Sequence, residues 1–443
     1  MSGAAPEKIG KYEIRKELGR GATSRVLLGH DPFARQDVAI KVFFNEAGVD
    51  EDTRKMRELA FVTEAALVGT LNHPHIIAIY DAATEPDFRY IVMEYAPGGT
   101  LEQFCDPARL LPVYRVLEMV FKCARALDVA FHAGVIHRDM KPANILLDDK
   151  GDICITDFGA ALTARQEGAK NFNTMVLARQ QVDAVVGSPA FMSPEQLLGE
   201  PLNQQADIYS LGVVMYQLLT GKLPFNAPNA MALAAAVVNT PPSPPSQHRK
   251  DLPAEVEAIV MRALEKDRAN RYPRWADMCK DLSKAFEAHK EEAPSTTDTE
   301  KFEALRTLPF FGDFVDAALW EALKVATWHE FPDGATIIRE GEQGDSLFVL
   351  IDGQLDVSVK GKEVGKIRRG DCFGEMSYFA KSSAGATRNS TVAAKHACDA
   401  IELPAPALRK ASDRLQAALV NAVMQVLIAR INQANQRMVV LSA

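Results

Sequence analysis

The stretch "IHRDMKPANILL" at residues 136–147 constrains the fold of this chain more than any other segment. A second short motif, "TDFGAA", follows it at residues 156–161. In both places polar residues interrupt short apolar runs, a pattern that predicts polar loops. We therefore expect the polar side chains of both segments to lie in loops.

Length and composition indicate a globular protein of more than one domain. The chain has 443 residues, which is too long for one ordinary core, and we expect two domains. Hydrophobic residues make up 47% and charged residues 24%, a balance that supports packed domains and little disorder. The formal net charge of −8 argues against a general nucleic-acid binder, so we expect no nucleic-acid partner.

The cysteines and the apolar segments indicate a reducing compartment. The six cysteines are scattered, with no CxxC pair and no zinc-like spacing to histidine, so we interpret them as reduced and mostly buried. The N-terminal "MSGAAPEKIGKYE" lacks the apolar core of a signal peptide. No stretch approaches the apolar length needed to cross a bilayer. We therefore expect a cytoplasmic protein without a membrane partner.

Periodicity divides the chain into several parts. Short apolar runs and one helical pattern predict a sheet with one helix over residues 12–95, and helical spacing prevails after it. The charged residues 287–303, which include several threonines, are predicted to be a linker. Short alternating strands predict a small antiparallel barrel or jelly roll within residues 304–410, and an apolar stripe predicts a helix over residues 411–443.

Residues 10–286 resemble a protein Ser/Thr kinase domain of the bacterial type. The resemblance rests on the motifs "LGRGATSRV", "VAIK", "IHRDMKPANILL", "TDFGAA", "GSPAFMSPEQ" and "DIYSLGVVMYQLLTGKLPF". It implies a small β lobe, a larger α lobe, and ATP and Mg²⁺ as cofactors. Lys141, two residues after Asp139, resembles the Ser/Thr branch of the family and implies protein substrates with Ser or Thr hydroxyls.

The resemblance implies catalytic roles for residues of these motifs. Asp139 would accept the proton of the attacking hydroxyl, and Lys141 would steady the transferred phosphate. Lys41 would hold the α and β phosphates, and Glu64 would orient it, a task that suits a point-charge ammonium beside a carboxylate.

The resemblance also implies the residues that bind the metal and the nucleotide. Asn144 and Asp157 would supply oxygen ligands to magnesium, which prefers such ligands and keeps several waters. Glycines let the backbone approach phosphates closely, and Ser24 stands where the family usually has a third glycine. The implied ATP-binding residues are Gly19, Gly21, Val26, Ala39, Lys41, Glu64, Met93, Glu94 and Ala96.

Other positions carry structural or regulatory roles by the same resemblance. Glu195 is expected to pair with Arg271, and Asp207 is expected at the head of a buried helix. Arg138 precedes the catalytic aspartate, an arrangement that usually answers a phosphate on the activation loop. Thr174 is the preferred phosphosite in that loop.

Residues 370–392, "GDCFGEMSYFAKSSAGATRNSTV", resemble the phosphate-binding cassette of cyclic-nucleotide-binding domains. The resemblance extends over roughly residues 307–410 and fits the jelly-roll prediction. The guanidinium of Arg388 would grip the singly charged cyclic phosphate through two donors, and Glu375 would accept from the ribose 2′-hydroxyl. The residues implied for binding cyclic AMP or cyclic GMP are Gly374, Glu375, Met376, Arg388, Asn389 and Ser390.

The terminal segment carries an apolar stripe. Its members are Leu415, Leu419, Val423, Val426, Leu427, Ile431 and Met438. The stripe predicts a lid helix for the preceding domain, a homodimer seam, or both, and we favour the homodimer. The acidic linker "EEAPSTTDTEK" offers no Arg-rich pseudosubstrate, so we do not expect inhibition of that kind.

The sequence therefore predicts an α+β chain, with a two-lobed protein kinase fold followed by a β jelly-roll cyclic-nucleotide-binding domain and a C-terminal helix. The leading hypothesis is a Ser/Thr protein kinase regulated by a cyclic nucleotide. The alternative is an active kinase whose jelly roll is a ligand-blind docking or dimerisation module, with Glu375 and Arg388 forming only a surface pair. A non-catalytic scaffold is a third reading, which the complete set of catalytic residues argues against.

Overall fold

The computed structural model contains two compact units, Met1–Pro294 and Ser295–Ala443. The structure describes residues 7–21, 24–44, 58, 61–67, 70–86, 88–158, 162–163, 189–288, 298–375 and 386–442. Side chains beyond residue 432 lie outside the description.

The N-terminal unit begins with an antiparallel sheet. Its strands are β1 (Lys8–Ile9), β2 (Tyr12–Arg20), β3 (Arg25–Asp31), β4 (Gln36–Phe44), β5 (Ile79–Thr84) and β6 (Phe88–Glu94). They lie in the order β1-β2-β3-β4-β6-β5, so β4 is central. Val38, Ile40 and Val42 point into one apolar cluster and Ala39 and Phe43 into the other. Because side chains alternate along a strand, the lysine between Ala39 and Phe43 shares their face.

Helices dominate the rest of this unit. They are α1 (Val113–His132), α2 (Pro194–Leu197), α3 (Gln204–Thr220), α4 (Ala230–Asn239), α5 (Ala254–Ala263) and α6 (Trp275–Ala288). Helix α3 is buried on nearly all sides, which its apolar composition around the whole circumference requires. The Asn203 side chain caps its first turn, and Gly221, with φ 69°, ends it in the left-handed conformation.

Short strands position the two polar motifs. They are β7 (Val135–Ile136), β8 (Ile145–Leu147), β9 (Ile153–Ile155) and β10 (Leu162–Thr163), and they pair as β8 with β9 and β7 with β10. The motif beginning at His137 follows β7 directly, and Asp157 follows β9 after one residue. Because all three residues of β9 are buried, the loop that follows is attached to the core of the unit.

The C-terminal unit is built on two four-stranded antiparallel sheets. Its strands are β11 (Thr327–Phe331), β12 (Thr336–Ile338), β13 (Gln343–Gly344), β14 (Ser346–Asp352), β15 (Gln354–Val359), β16 (Lys362–Arg368), β17 (Cys372–Phe373), β18 (Ala386–Thr387), β19 (Thr391–Ala394) and β20 (Cys398–Pro404). The sheets have the orders β11-β20-β14-β17 and β12-β19-β15-β16, and β13 pairs with β18. Residues of both sheets, including Phe348, Leu355 and Val392, share one core cluster. This is the predicted jelly-roll type of core.

Helices flank these sheets. They are α7 (Asp298–Arg306), α8 (Asp316–Val325), α9 (Ala405–Leu408) and α10 (Asp413–Ser442). The first part of α10 packs on α8 and on the short helical turn Pro309–Phe311.

The predicted apolar stripe of α10 divides into two parts. Leu415, Leu419 and Val423 are fully buried within the unit. Ile431 is 60% exposed, and Met424, which the prediction left out, is 50% exposed. The stripe is therefore not one continuous seam, because its first half belongs to the core of its own unit. The side chain of Met438, also predicted in the stripe, lies outside the described residues.

One helix of the described part of the chain meets the length and composition criteria for a membrane span. It is the stretch Asp413–Asn432 of α10, with a mean hydropathy of 1.3, and 17% of it is buried. The expectation that no stretch approaches this apolar length was therefore wrong. A single such helix is weak evidence for a membrane span, because core helices of soluble proteins meet the same criteria.

The predicted ion pair between Glu195 and Arg271 is present and buried. The Arg271 guanidinium donates to both Glu195 carboxylate oxygens, at 2.7 and 3.2 Å, and to the carbonyls of Gln205 and Glu265. The two side chains are 0% and 2% exposed for Arg271 and Glu195. This pair ties α2 to the start of α3 and to the loop after α5.

We expect Arg271→Ala to lower the free energy of unfolding of the N-terminal unit by about 3–5 kcal/mol, because it leaves Glu195 as an uncompensated buried charge. Arg274→Ala is the matched control: Arg274 also pairs with a carboxylate, that of Asp277, but its side chain is 69% exposed. That change should stay within about 0.5 kcal/mol. Urea-dependent hydrogen exchange of α3 measures both effects, and equal effects would contradict the assignment.

Candidate functional site

Three of the predicted residues form a charge cluster in the N-terminal unit, in which Lys41 and Glu64 are buried and Asp157 is partly exposed. The Lys41 ammonium lies 2.7 Å from a carboxylate oxygen of Glu64, in helical residues 61–65, and 2.7 Å from one of Asp157. Burial opposes the charged form of Lys41, but the carboxylates of Asp157 and Glu64 outweigh it and raise its pKa. Burial likewise opposes the charged form of Asp157, but Lys41 outweighs it and lowers the pKa to about 2. Lys41 and Asp157 therefore stay ionised throughout the neutral range.

His137 links the loop after β7 to the loop after β9. Its Nε2 lies 3.0 Å from the Thr156 carbonyl, and its Nδ1 lies 3.2 Å from the backbone nitrogen of Asp139. The first contact requires a donor and the second an acceptor, so the ring is assigned as the neutral Nε2–H tautomer. The ring also packs on Phe158, with centroids 4.5 Å apart. One side chain thus sets the spacing between the two motifs.

Asp207 fixes the backbone of the same loop through two hydrogen bonds. Its two carboxylate oxygens accept hydrogen bonds from the backbone N–H groups of His137 and Arg138, both at 2.8 Å. Arg138 has a φ of 69°, a conformation that is uncommon outside glycine and persists only where its surroundings support it. The sequence placed Asp207 at the head of a buried helix, and the structure adds that it supports this strained residue.

The predicted catalytic residues of the loop are hydrogen-bonded to one another. The Lys141 ammonium lies 2.7 Å from a carboxylate oxygen of Asp139. The Asn144 side-chain amide donates to the Asp139 backbone carbonyl at 2.7 Å and to the same carboxylate oxygen at 3.1 Å. The side chains of Asp139 and Lys141 are 32% and 27% exposed, so a hydroxyl group from solvent can reach the carboxylate.

The oxygen atoms around this loop fit magnesium. Because Asn144 donates through its Nδ2, its Oδ1 is the atom left for a cation. Asp157 supplies a carboxylate that is 41% exposed. Within the described residues no cluster of three or more His, Cys, Asp or Glu side chains could hold a metal ion. One carboxylate and one amide are the small ligand set that magnesium uses when it keeps waters and binds substrate phosphates.

The predicted apolar residues of the nucleotide site come together in one cluster. Val26, Ala39, Met93 and Ala96 share it. Strand pairing explains this, because Ala39 lies opposite Met93, while Val26 lies opposite both Gly19 and Lys41. Leu146, on β8, joins the same cluster and was missed by the sequence analysis, although its place two residues after Asn144 was a usable signal.

Part of the predicted hinge already has hydrogen-bond partners within the protein. The Glu94 backbone N–H donates to the Ala78 carbonyl at 2.9 Å, and the Glu94 carboxylate accepts from the Ala78 N–H at 3.3 Å. The Glu94 N–H is therefore not available to a base, and the hinge groups that remain are its carbonyl and the backbone of Ala96. In the glycine-rich loop the Gly21 N–H donates to the Ser24 carbonyl at 2.8 Å. A methyl group at Gly19 would meet no atom of the protein within 4 Å, so packing alone does not require glycine there.

The predicted phosphosite, Thr174, lies outside the described residues and stays a prediction. Arg138, its predicted partner, is 8% exposed. Burial lowers the pKa of Arg138 to about 10, against the opposing effect of Asp207.

In the C-terminal unit Arg388 lies in a cradle of backbone atoms. Its Nη1 donates to the carbonyls of Ser346 and Gly374, both at 3.0 Å. A methyl group on Gly344 would collide with the guanidinium, and one on Gly374, which has a φ of 76°, would lie 2.6 Å from Nη1. Burial lowers the pKa of Arg388 against the nearby carboxylate of Asp345. Glycine at both positions is thus needed to seat this arginine.

Glu375 and Arg388 are both buried, so they do not form an exposed surface pair. Glu375 is 8% exposed and Arg388 is 9% exposed, so the alternative reading of an exposed pair was wrong. A Glu375 carboxylate oxygen instead accepts from Arg430 of α10 at 2.9 Å. Arg430 also donates to the Cys372 carbonyl. The sequence analysis did not single out Arg430.

The remaining predicted residues of this site differ in exposure. Asn389 is exposed and Ser390 is half-buried. Met376 lies outside the described residues. The structure therefore brings Gly374, Glu375 and Arg388 together. Asn389 is exposed, and its contact with a ligand stays a prediction.

Comparison with known proteins agrees with this architecture. A protein kinase domain model matches residues 12–282, and the chain belongs to the protein kinase family. A cyclic nucleotide-binding domain model matches residues 328–414. The predicted fold, a kinase domain followed by a β-rich cyclic-nucleotide-binding domain with a C-terminal helix, is confirmed.

Several curated relatives are bacterial serine/threonine-protein kinases. The serine/threonine-protein kinase PknB of Mycolicibacterium smegmatis is 36% identical over 304 residues, which cover 68% of this chain and 47% of the relative. PknB of Mycobacterium tuberculosis is 36% identical over 296 residues, covering 66% and 45%. PrkC of Bacillus subtilis is 33% identical over 305 residues, covering 69% and 45%. The chain spans about half the length of these relatives.

Proposed function

We propose that the N-terminal unit is a Ser/Thr protein kinase that transfers the γ-phosphoryl group of MgATP to Ser or Thr hydroxyls of protein substrates. The observation that carries the proposal is the position of the Lys41 ammonium, 2.7 Å from both Glu64 and Asp157. A phosphoryl-transfer site needs a fixed cation for the phosphates and a carboxylate for the metal, and this cluster joins the two. The relatives are serine/threonine-protein kinases, which supports the choice of Ser and Thr.

The residues of the loop after β7 divide the chemistry between them. Asp139 receives the proton of the attacking hydroxyl, and its 32% exposure allows the substrate to approach. Lys141, which holds the Asp139 carboxylate before substrate arrives, neutralises charge on the transferred group. Asn144 and Asp157 would hold magnesium, which supplies charge neutralisation at the phosphates when bound. Most of the rate enhancement then comes from positioning and electrostatics.

The adenine end of the nucleotide is expected against the apolar cluster of Val26, Ala39, Met93, Ala96 and Leu146. The base would exchange hydrogen bonds with the Glu94 carbonyl and the backbone of Ala96. This arrangement matches the usual plan of a ligand site, an apolar lining with a few fixed polar groups.

We expect Asp139→Asn to reduce phosphoryl transfer by about 10²-fold or more, because the amide cannot accept the proton. The measurement is transfer from radiolabelled MgATP to casein and to the chain itself, followed by phosphoamino-acid analysis. Asp106→Asn is the matched control, because Asp106 is exposed and its carboxylate accepts from the Ala108 N–H in its own turn. Absence of transfer by the wild-type protein would contradict the proposal, as would label on Tyr alone.

We further propose that the C-terminal unit binds a cyclic nucleotide, cyclic AMP or cyclic GMP, and that this ligand regulates the kinase. The support is the buried guanidinium of Arg388, for which Gly344 and Gly374 leave room, together with the buried carboxylate of Glu375, just after β17. The cyclic phosphate would face Arg388, and the ribose 2′-hydroxyl would face Glu375. The ligand regulates only if it binds the active and inactive arrangements with different affinities.

Isothermal calorimetry with cyclic AMP and cyclic GMP tests the site. We expect Arg388→Ala to weaken binding about 10–100-fold, the range for a lost charge-assisted contact. Arg368→Ala is the control, because Arg368 is exposed at the end of β16. Kinase assays with and without the nucleotide then test regulation. Lack of heat with the wild-type protein would favour the alternative, a ligand-blind docking or dimerisation module.

We also propose that α10 forms a homodimer seam in its second half. Met424, Ile428 and Ile431 are 50%, 49% and 60% exposed and lie at helical spacing on one face. Two such stripes bury one another when two copies of the helix pair. The first half of the helix does not take part, because its apolar residues are already buried in the unit.

Light scattering on the full chain tests the seam. The triple change Met424→Gln, Ile428→Gln and Ile431→Gln should convert a dimer into a monomer, halving the mass, because it removes the exposed stripe and leaves the core untouched. Val364→Gln, an exposed apolar residue of β16, is the control and should leave the mass unchanged. A monomeric wild-type protein, or a dimer that survives the triple change, would contradict the seam.

The cellular compartment of the protein and its classes of partner are also part of the proposal. We place the protein in the cytoplasm, with protein substrates and without a nucleic-acid or membrane partner. The net charge of −8 supports the first exclusion. The packing of Leu415, Leu419 and Val423 inside the unit supports a soluble role for α10 over a membrane span.

A further inference from the structure

The second half of α10 is attached to the cyclic-nucleotide site through one arginine. Arg430 donates to the Glu375 carboxylate at 2.9 Å and to the backbone carbonyl of Cys372 at the end of the sheet. Its side chain is 38% exposed, whereas that of Glu375 is 10% exposed. We call this pair of contacts the Arg430 latch.

The latch covers the group that a ribose would need. With Arg430 in place, nine-tenths of the Glu375 side chain is inaccessible to solvent. A carboxylate has enough lone pairs for several donors, so chemistry alone does not forbid sharing. Space does restrict it, because Arg430 already bonds one carboxylate oxygen and only a tenth of the side chain is open to solvent.

The latch also stabilises Glu375 in the absence of ligand. A buried carboxylate without a partner is strongly unfavourable, and Arg430 supplies the compensating charge. A ligand hydroxyl carries no compensating charge, but it can replace the hydrogen bond that Arg430 donates to Glu375. The two donors, one from the chain and one from the ligand, therefore suit the same acceptor.

We propose that Arg430 is a specificity-determining residue that competes with the ribose 2′-hydroxyl for Glu375, so that binding of a cyclic nucleotide opens the Arg430 latch. The proposal rests on the cyclic-nucleotide binding proposed above. By linkage, the factor by which ligand weakens the latch equals the factor by which the latch weakens ligand binding. Arg430 thus lowers both the affinity and the preference for a 2′-hydroxyl.

Calorimetry on the full chain with cyclic AMP and with its 2′-deoxy analogue tests the competition. We expect Arg430→Gln to tighten cyclic AMP binding about fivefold or more, the lower end of typical coupling between sites. Binding of the 2′-deoxy analogue should change less than twofold, because it lacks the hydroxyl that competes. Arg409→Gln, at an exposed position before α10, is the matched control and should behave as wild type for both ligands.

Each outcome has a separate meaning. Unchanged or weaker binding of cyclic AMP by Arg430→Gln, or an equal gain for the deoxy analogue, overturns the competition and leaves the proposed function intact. Heat with Arg430→Gln and none with wild type supports it in its strongest form. Absence of heat from both proteins overturns the proposed ligand and the competition with it.

Hydrogen exchange without any ligand gives an independent reading of the latch. Arg430→Gln should increase the exchange rates of the backbone amides of residues 424–432 several-fold, while residues 415–423 keep theirs because Leu415, Leu419 and Val423 anchor that part of the helix in the core. Unaltered exchange over residues 424–432 would overturn the latch as a structural contact, whatever the calorimetry shows.

Discussion

The N-terminal unit depends on one buried ammonium between two carboxylates. Lys41 comes from the central strand of the sheet, Glu64 from the helical residues packed on it, and Asp157 from the loop after β9. Burying Lys41 or Glu64 alone would be strongly unfavourable, and the two charges compensate one another. The contact of Lys41 with Asp157 then holds the loop after β9 within reach of one lysine side chain of the sheet.

The second motif loop is fixed by groups that perform no chemistry themselves. Asp207 binds two consecutive backbone N–H groups, and His137 connects this loop to the loop that carries Asp157. A strained backbone at Arg138 is stable only under such support. In the C-terminal unit, Gly344 and Gly374 have no side chains and so leave room for the guanidinium of Arg388. Hydrogen bonds thus fix the loop after β7, whereas small residues allow Arg388 to take its position.

The sequence predicted those parts that short, ordered motifs encode. Lys41, Asp139, Asn144 and Asp157 were predicted because each stands in a short motif that resembles a protein kinase motif, and the structure brings Lys41 to Asp157 and Asn144 to Asp139. Contacts between distant segments left no such pattern. Arg430 meets Glu375 across 55 residues, and nothing near either residue marks the partner. The stripe of α10 likewise reads as continuous, because burial of its first half depends on α8 and not on its own composition.

Helix α10 continues well past Val423, the last fully buried residue among its described side chains. From Met424 to Ser442 it extends by about 27 Å at the usual rise per residue. A rigid rod anchored at its root magnifies any change of angle there, so a tilt of about 10° would displace the far end by about 5 Å. The second half of α10 can thus convert a small change of angle at its base into a displacement of several ångströms at its far end.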